Sequence, residues 1–178
     1  VAKKPTITTG GDFEVKVQAH ANKKKTANGV FTPKNPDKYH GKHPISYRSS
    51  WELRVMMKLD DHPYYLAWSS ESVNVTYYHP YYRKWKTYLP DFLVKYMDRN
   101  GKHHIEMIEV KPVKESPLHD SKKLPNGKYQ KLRLNEQTKA IRNVNAAKWQ
   151  AAKAFCDAKG WKFVVWTEEE IFQWDGRK

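Results

Sequence analysis

The feature that most constrains this chain lies between Tyr88 and Pro112. Two apolar runs, Leu89-Pro90-Asp91-Phe92-Leu93-Val94-Lys95 and Ile105-Glu106-Met107-Ile108-Glu109-Val110-Lys111, flank an Asp98-Arg99-Asn100-Gly101 turn. Alternating or apolar runs joined through Asn-Gly are the strongest short-range hairpin signal a sequence carries. On a strand, residues i and i+2 share a face, so Glu109 and Lys111 point the same way. The partner strand brings Asp91 beside them. Two carboxylates and an ammonium in an apolar hairpin are costly to bury without a task.

The chemistry that suits such a group is phosphodiester hydrolysis assisted by a hard divalent cation. That reaction needs an activated water and neutralisation of charge on the phosphate and the leaving oxygen. Asp91 and Glu109 offer two oxygens, and the backbone carbonyl of Val110 is placed to add a third. Lys111 would orient or help deprotonate the attacking water. Upstream, Ser49 with Glu52 three residues later forms a capping-box pattern for a helix over 49–60. Glu52, Val55, Met56 and Leu59 fall at i, i+3, i+4 and i+7, which sets Glu52 at the start of the buried stripe. It either serves the cap alone or looks inward at a metal.

The net charge of +14 is unevenly spread. Residues 1–48 carry ten Lys/Arg against three Asp/Glu, residues 49–110 carry eight of each, and residues 111–133 carry seven against two. A balanced body between basic segments favours a polyanionic partner, with double-stranded DNA the simplest. The candidate DNA contacts are Lys23, Lys24 and Lys25 in a basic arm over residues 1–45, Arg83, Lys84 and Lys86 at an aromatic-rich hairpin tip, and Lys114, Lys122, Lys123 and Lys128 in a long loop over 112–133. The arm is expected to be extended and partly ordered by packing on the body. A body over 46–178 follows it.

No apolar run approaches the roughly 20 residues of a membrane span, and no signal-peptide pattern opens the chain. The single cysteine, Cys156, excludes an internal disulfide and points to a reducing compartment. It falls in the last turn of a helix from Asn135 to about Ala158, where it reads as a small core residue. That helix carries Ile141, Val144, Ala147, Ala151, Phe155 and Ala158 as its expected packing stripe, and Gly160 ends it. Residues 64–71 read as an aromatic linker, Ser72–Tyr78, Lys86–Met97 and His103–Val110 as strands, Trp161–Trp166 as a final strand, and 168–172 as a short helix capped by Thr167. The order is helix, three strands, helix, strand. A helical crossover to the last strand requires a mixed sheet flanked by helices.

Pro90-Asp91 followed by Glu109-Val110-Lys111 resembles the signature of the PD-(D/E)xK nuclease superfamily, and Glu52 resembles its upstream helical glutamate. The finer resemblance is to the TnsA-like endonuclease group, which includes the head-completion nucleases of T-even-like tailed phages. Tyr47–Glu52, Leu89–Val94, Ile108–Pro112, Asn145–Ala152 and Phe163–Glu168 carry it, over about residues 45–172. The resemblance implies a restriction-endonuclease-like αβββαβ core, a Mg²⁺ (or Mn²⁺) site at Asp91 and Glu109 with Glu52 in support, and Lys111 as the catalytic lysine. Lys148 or Gln150 would fill the accessory position of the following helix. It also implies a metal-dependent DNA endonuclease of phage head completion or packaging, meeting portal or neck proteins in the host bacterial cytoplasm or at the virion head. Two alternatives stand beside it: a non-enzymatic neck protein on the same fold, and a transposition endonuclease. Transposase subunits of the group carry a further C-terminal domain, and the sequence to Lys178 favours the phage-type expectation.

Overall fold

Alternating burial along the strands, rather than helix propensity, organises this molecule. The computed structural model describes residues 27–172; Lys23, Lys24 and Lys25 lie outside them. The chain runs through β1 (Gly29–Phe31), β2 (Ile45–Tyr47), α1 (Ser50–Asp61), β3 (Tyr65–Ser70), β4 (Val75–His79), β5 (Lys84–Tyr88), β6 (Phe92–Met97), β7 (His103–Val110), β8 (Ser121–Lys123), β9 (Tyr129–Lys131), α2 (Glu136–Lys159), β10 (Lys162–Trp166) and α3 (Glu168–Phe172). The central sheet has the order β10-β7-β6-β3, with β10 parallel to β7 and the other neighbours antiparallel. With the β4–β5 hairpin set aside, α1, β3, β6, β7, α2 and β10 form the expected αβββαβ core. The helix α2 makes the crossover that lets β10 lie parallel to β7.

The β6–β7 hairpin closes as its sequence requires. Asp98 accepts hydrogen bonds at Oδ1 from Asn100 N–H and Lys102 N–H, both at 2.9 Å. Gly101 takes φ +77°, a conformation glycine adopts without steric cost. Along β7, Ile108 and Val110 face one side of the sheet and Met107 the other. The first side packs on Val55, Met56 and Leu59 of α1 and Ile171 of α3. The second packs on Ala152 and Cys156 of α2 and on Val75, Tyr77 and Tyr88 of the β4–β5 hairpin. Each fully buried large apolar side chain contributes about 1.5–3 kcal/mol.

Five features differ from the sequence expectation. The linker at 64–71 contains a true edge strand, β3, whose Tyr65 and Trp68 are buried. The strand expected over Ser72–Tyr78 does not join the central sheet; as β4 it pairs with β5 instead. The run Lys86–Met97 is cut at Leu89-Pro90-Asp91, because Pro90 has no N–H to continue a ladder; its two halves therefore join different sheets. The loop over 112–133 carries a 3-10 turn at Val113–Glu115 and the β8–β9 hairpin. On α2 the buried residues are Thr138, Arg142, Asn145, Trp149, Ala152 and Cys156, while Ala158 is exposed and Ile141, Val144, Ala147, Ala151 and Phe155 are half-buried. The stripe is rotated by about one residue because Arg142 and Asn145 turn inward. They donate to the carbonyls of His119 and Glu115 and hold the 112–120 segment down.

Residues 27–45 pack onto the body through Tyr39 and Ile45, both in the core. Buried Asp60 at the end of α1 ties them in, accepting from Lys34 N–H at 2.7 Å and Asn35 N–H at 3.2 Å. Asp60→Ala strands those two donors, so it should lower unfolding free energy by about 1–3 kcal/mol. Urea denaturation followed by circular dichroism measures it, and an unchanged midpoint would contradict this anchoring role.

Candidate active site

The β6–β7 register builds the site. Leu93 pairs with Met107, and continuing by two residues sets Asp91 opposite Glu109. Both carboxylates face α2, on the side of the sheet away from α1. Val110 N–H donates to Asp91 Oδ2 at 2.7 Å and fixes that carboxylate at the strand end. The C=O of a strand residue points to the same edge as its N–H, so the Val110 carbonyl turns toward Asp91 as well. Glu109 is only 4% exposed, and Lys111 Nζ lies 3.5 Å from its Oε1.

Electrostatics mark the pair as strained. Burial, then the neighbouring Glu109 charge, hold the Asp91 carboxyl well above the ordinary carboxylate range; the Val110 bond and Lys111 oppose this, and Glu52 adds to it. Burial also raises Glu109, against the pull of Lys111 and Lys148. Burial alone would lower Lys111, but Glu109, Asp91 and Glu115 outweigh it and leave the ammonium above its usual value. Burial draws Lys148 below its usual value, with Glu109 pulling the other way. A desolvated pair of hard anionic oxygens is the donor set that Mg²⁺ or Mn²⁺ prefers. Asp91 and Glu109 therefore fit a divalent cation. Among the described residues no third His, Cys, Asp or Glu side chain joins them at metal-ligand spacing.

Glu52 stands apart from the pair. Ser49 Oγ donates to its Oε1 at 3.0 Å and Arg48 N–H to its Oε2 at 2.8 Å, while Glu52 N–H donates back to Ser49 Oγ at 3.1 Å. Its carboxylate completes a capping box, and its charge still reaches Asp91. Of the two accessory candidates, Lys148 is half-buried and within electrostatic reach of Glu109, whereas Gln150 is exposed. Arg83, Lys84 and Lys86 lie at or beside the β4–β5 tip, Lys114 is exposed in the 3-10 turn, and Lys122, Lys123 and Lys128 are exposed on and around the β8–β9 hairpin.

Two residues about the site escape the sequence reading. Among the described residues, the Tyr88 hydroxyl and the Trp149 indole N–H are buried without a hydrogen-bond partner. Glu109 and Asp91 both act on Tyr88. The Trp149 N–H favours the Glu109 carboxylate electrostatically, although its geometry falls short of a hydrogen bond. Correct phasing of α2 is the signal for Trp149, which lies one turn beyond Asn145 on the buried stripe.

Residues 62–168 match the family model described as the TnsA-like endonuclease N terminal. That span contains Asp91, Glu109, Lys111 and Lys148, and begins after Glu52. The chain is also 34% identical over 146 residues to the head completion nuclease of Enterobacteria phage T4, across 80% of this chain and 92% of the phage protein. No helix among the described residues is long and apolar enough to cross a membrane.

The raised carboxyls make stability without metal depend on pH. Their ordinary values are 3.8 and 4.5. The favourable contribution from keeping them protonated is complete below those values and is lost as pH rises through the higher folded-state values. In EDTA the melting temperature should therefore fall between acid and neutral pH. Asp91→Asn should raise it at neutral pH, since an amide oxygen can still accept from Val110 without the charge. A variant less stable than wild type at neutral pH would contradict this electrostatic account.

Proposed function

The chain belongs to the TnsA-like endonucleases, and from that premise we propose that it is a metal-dependent DNA endonuclease acting in phage head completion. One observation carries the chemistry: Asp91 and Glu109 face each other, desolvated, at the end of a hairpin, with Lys111 beside Glu109. In this reading Asp91, Glu109 and the Val110 carbonyl hold Mg²⁺ or Mn²⁺, and Glu52 supports them from the first turn of α1. Such an ion, when bound, supplies a Lewis acid for the phosphate and a more acidic water. Lys111, held as an ammonium beside Glu109, would orient the attacking water and offset charge on the phosphate. Lys148 meets a phosphate oxygen from the α2 side.

The basic residues around the site bind the substrate backbone. Lys122, Lys123 and Lys128 reach out on one hairpin, and Lys84 and Lys86 on the other. Strong basic excess at residues 1–48 and 111–133 supports double-stranded DNA as the substrate. The head-completion role is supported by the similarity to the T4 protein over most of both chains. In this reading the protein works in the host bacterial cytoplasm during assembly and at the virion head or neck, with portal or neck proteins as partners. A poorly solvated, mutually repelling carboxylate pair supports an enzyme over a purely structural neck protein.

Supercoiled plasmid should be nicked with Mg²⁺ or Mn²⁺ and left intact in EDTA. Asp91→Ala or Lys111→Ala should lower the nicking rate by about a hundredfold or more while the far-ultraviolet circular dichroism stays that of wild type. Wild type inert with both ions would overturn the enzyme reading. Affinity for duplex should weaken by roughly a hundredfold or more between about 50 and 200 mM salt. A flat salt response would remove the electrostatic basis for DNA binding.

A further inference from the structure

The β4–β5 hairpin has two chemically different faces. Its inner face packs against α2 through Val75 and Tyr77, and Lys148 Nζ lies 5.9 Å from the Tyr77 ring centre and 5.4 Å from that of Tyr88. Its outer face carries Tyr78 directly across from Trp85, with ring centres 5.5 Å apart at 74°. Trp85 is 69% exposed and Tyr78 48%. Hairpin stability alone does not call for a bare indole, since the pair one step along the same face is Thr76 with Thr87.

The hairpin is held firmly where these rings sit. His79 Nδ1 accepts from Tyr81 N–H at 3.3 Å and Tyr82 N–H at 3.2 Å, and Arg83 N–H donates to the His79 carbonyl at 2.9 Å. Asn143 Nδ2 on α2 donates to the Tyr81 hydroxyl at 2.9 Å. Trp85 stands three strand residues before Tyr88, about 10 Å from the residue that borders the carboxylates. Between Val75 and Pro90 there is no Asp or Glu, and Arg83, Lys84 and Lys86 flank the rings. Rigid exposed aromatics in a purely basic stretch match the π-face and backbone charge of an unpaired nucleotide. An apolar protein surface would leave the lysines without a counter-charge, and an acidic one would leave the π-faces without a stacking partner.

We propose that the outer face of this hairpin is a stacking platform for unpaired nucleotides. The DNA that the enzyme engages would then be duplex bordered by a single-stranded or frayed segment. The basic inner side tracks the strand that enters the site, while Trp85 and Tyr78 take bases separated from it. The substrate assignment rests on the nuclease reading above; the platform itself is tested by binding alone.

The experiment compares binding, in EDTA so that nothing is cut, of a blunt duplex and the same duplex with a short tail at either end. The tail contains 2-aminopurine, whose fluorescence is quenched on stacking. Wild type should prefer tailed DNA by about tenfold and quench the probe. Trp85→Ala and Trp85→Leu should each bring the preference near one and remove the quench, and Trp85→Phe should keep much of both. Equal wild-type affinity for the two DNAs, or full preference in Trp85→Leu, would overturn the platform. So would Trp85 variants that bind tailed DNA normally but lose association with a virion protein, which would make the face a protein contact. Stacking by a wild type that cuts nothing with Mg²⁺ or Mn²⁺ would uphold the platform and contradict the nuclease reading. Cutting without any tail preference would do the reverse.

Discussion

The hydrogen bond from Val110 N–H to Asp91 Oδ2 ties the two strands of the site together at the point where their backbone ladder ends. Pro90 cannot continue that ladder, so a side chain takes over from the main chain. The carboxylate is thereby held against Glu109, with which it shares a poorly solvated space. Like charges so placed repel, and burial favours their protonation. Lys111 and Lys148 reduce the repulsion without removing it, since both carboxyls remain raised. A cation with high charge density would complete the balance. The lysines, the buried Trp149 N–H and the basic hairpins are then parts of one electrostatic arrangement.

The sheet separates stability from chemistry. Its α1 face is apolar, with Val55, Met56 and Leu59 packed on Phe92, Val94, Ile108 and Val110. Its α2 face holds Leu93 and Met107 in the core and then, further along the same strands, Asp91, Glu109 and Lys111. A two-residue step along the strand direction leads from packed apolar side chains to the charged cluster. Glu52 belongs to the start of α1 and does double service, closing the capping box and adding negative charge near Asp91.

Much of this was legible in the residues because it depends on local rules. Asn100-Gly101 defines the hairpin, period-two alternation puts Glu109 and Lys111 on one face, and Ser49 with Glu52 starts α1. What was hidden depends on tertiary partners. Tyr65–Ser70 carries strand-forming aromatics but becomes a strand only by pairing with β6. Pro90 stands at a boundary between two sheets, whereas the apolar pattern runs through it. The phase of α2 is misread because Arg142 and Asn145 are buried to bind loop carbonyls, a use of polar residues that hydrophobic periodicity cannot register. Tyr88 and Trp149 gain their place beside the carboxylates from the same packing. The choice between Lys148 and Gln150 likewise needs the helix rotation, which turns the lysine inward.

We propose that Asp91 and Glu109 together hold a divalent cation at the end of the β6–β7 hairpin. Anomalous diffraction from a crystal soaked in Mn²⁺ tests it most directly. A peak is expected between the two carboxylates, within coordination distance of an oxygen from each. A peak elsewhere with this pair vacant, or full Mn²⁺ exposure with none at the pair, would contradict it.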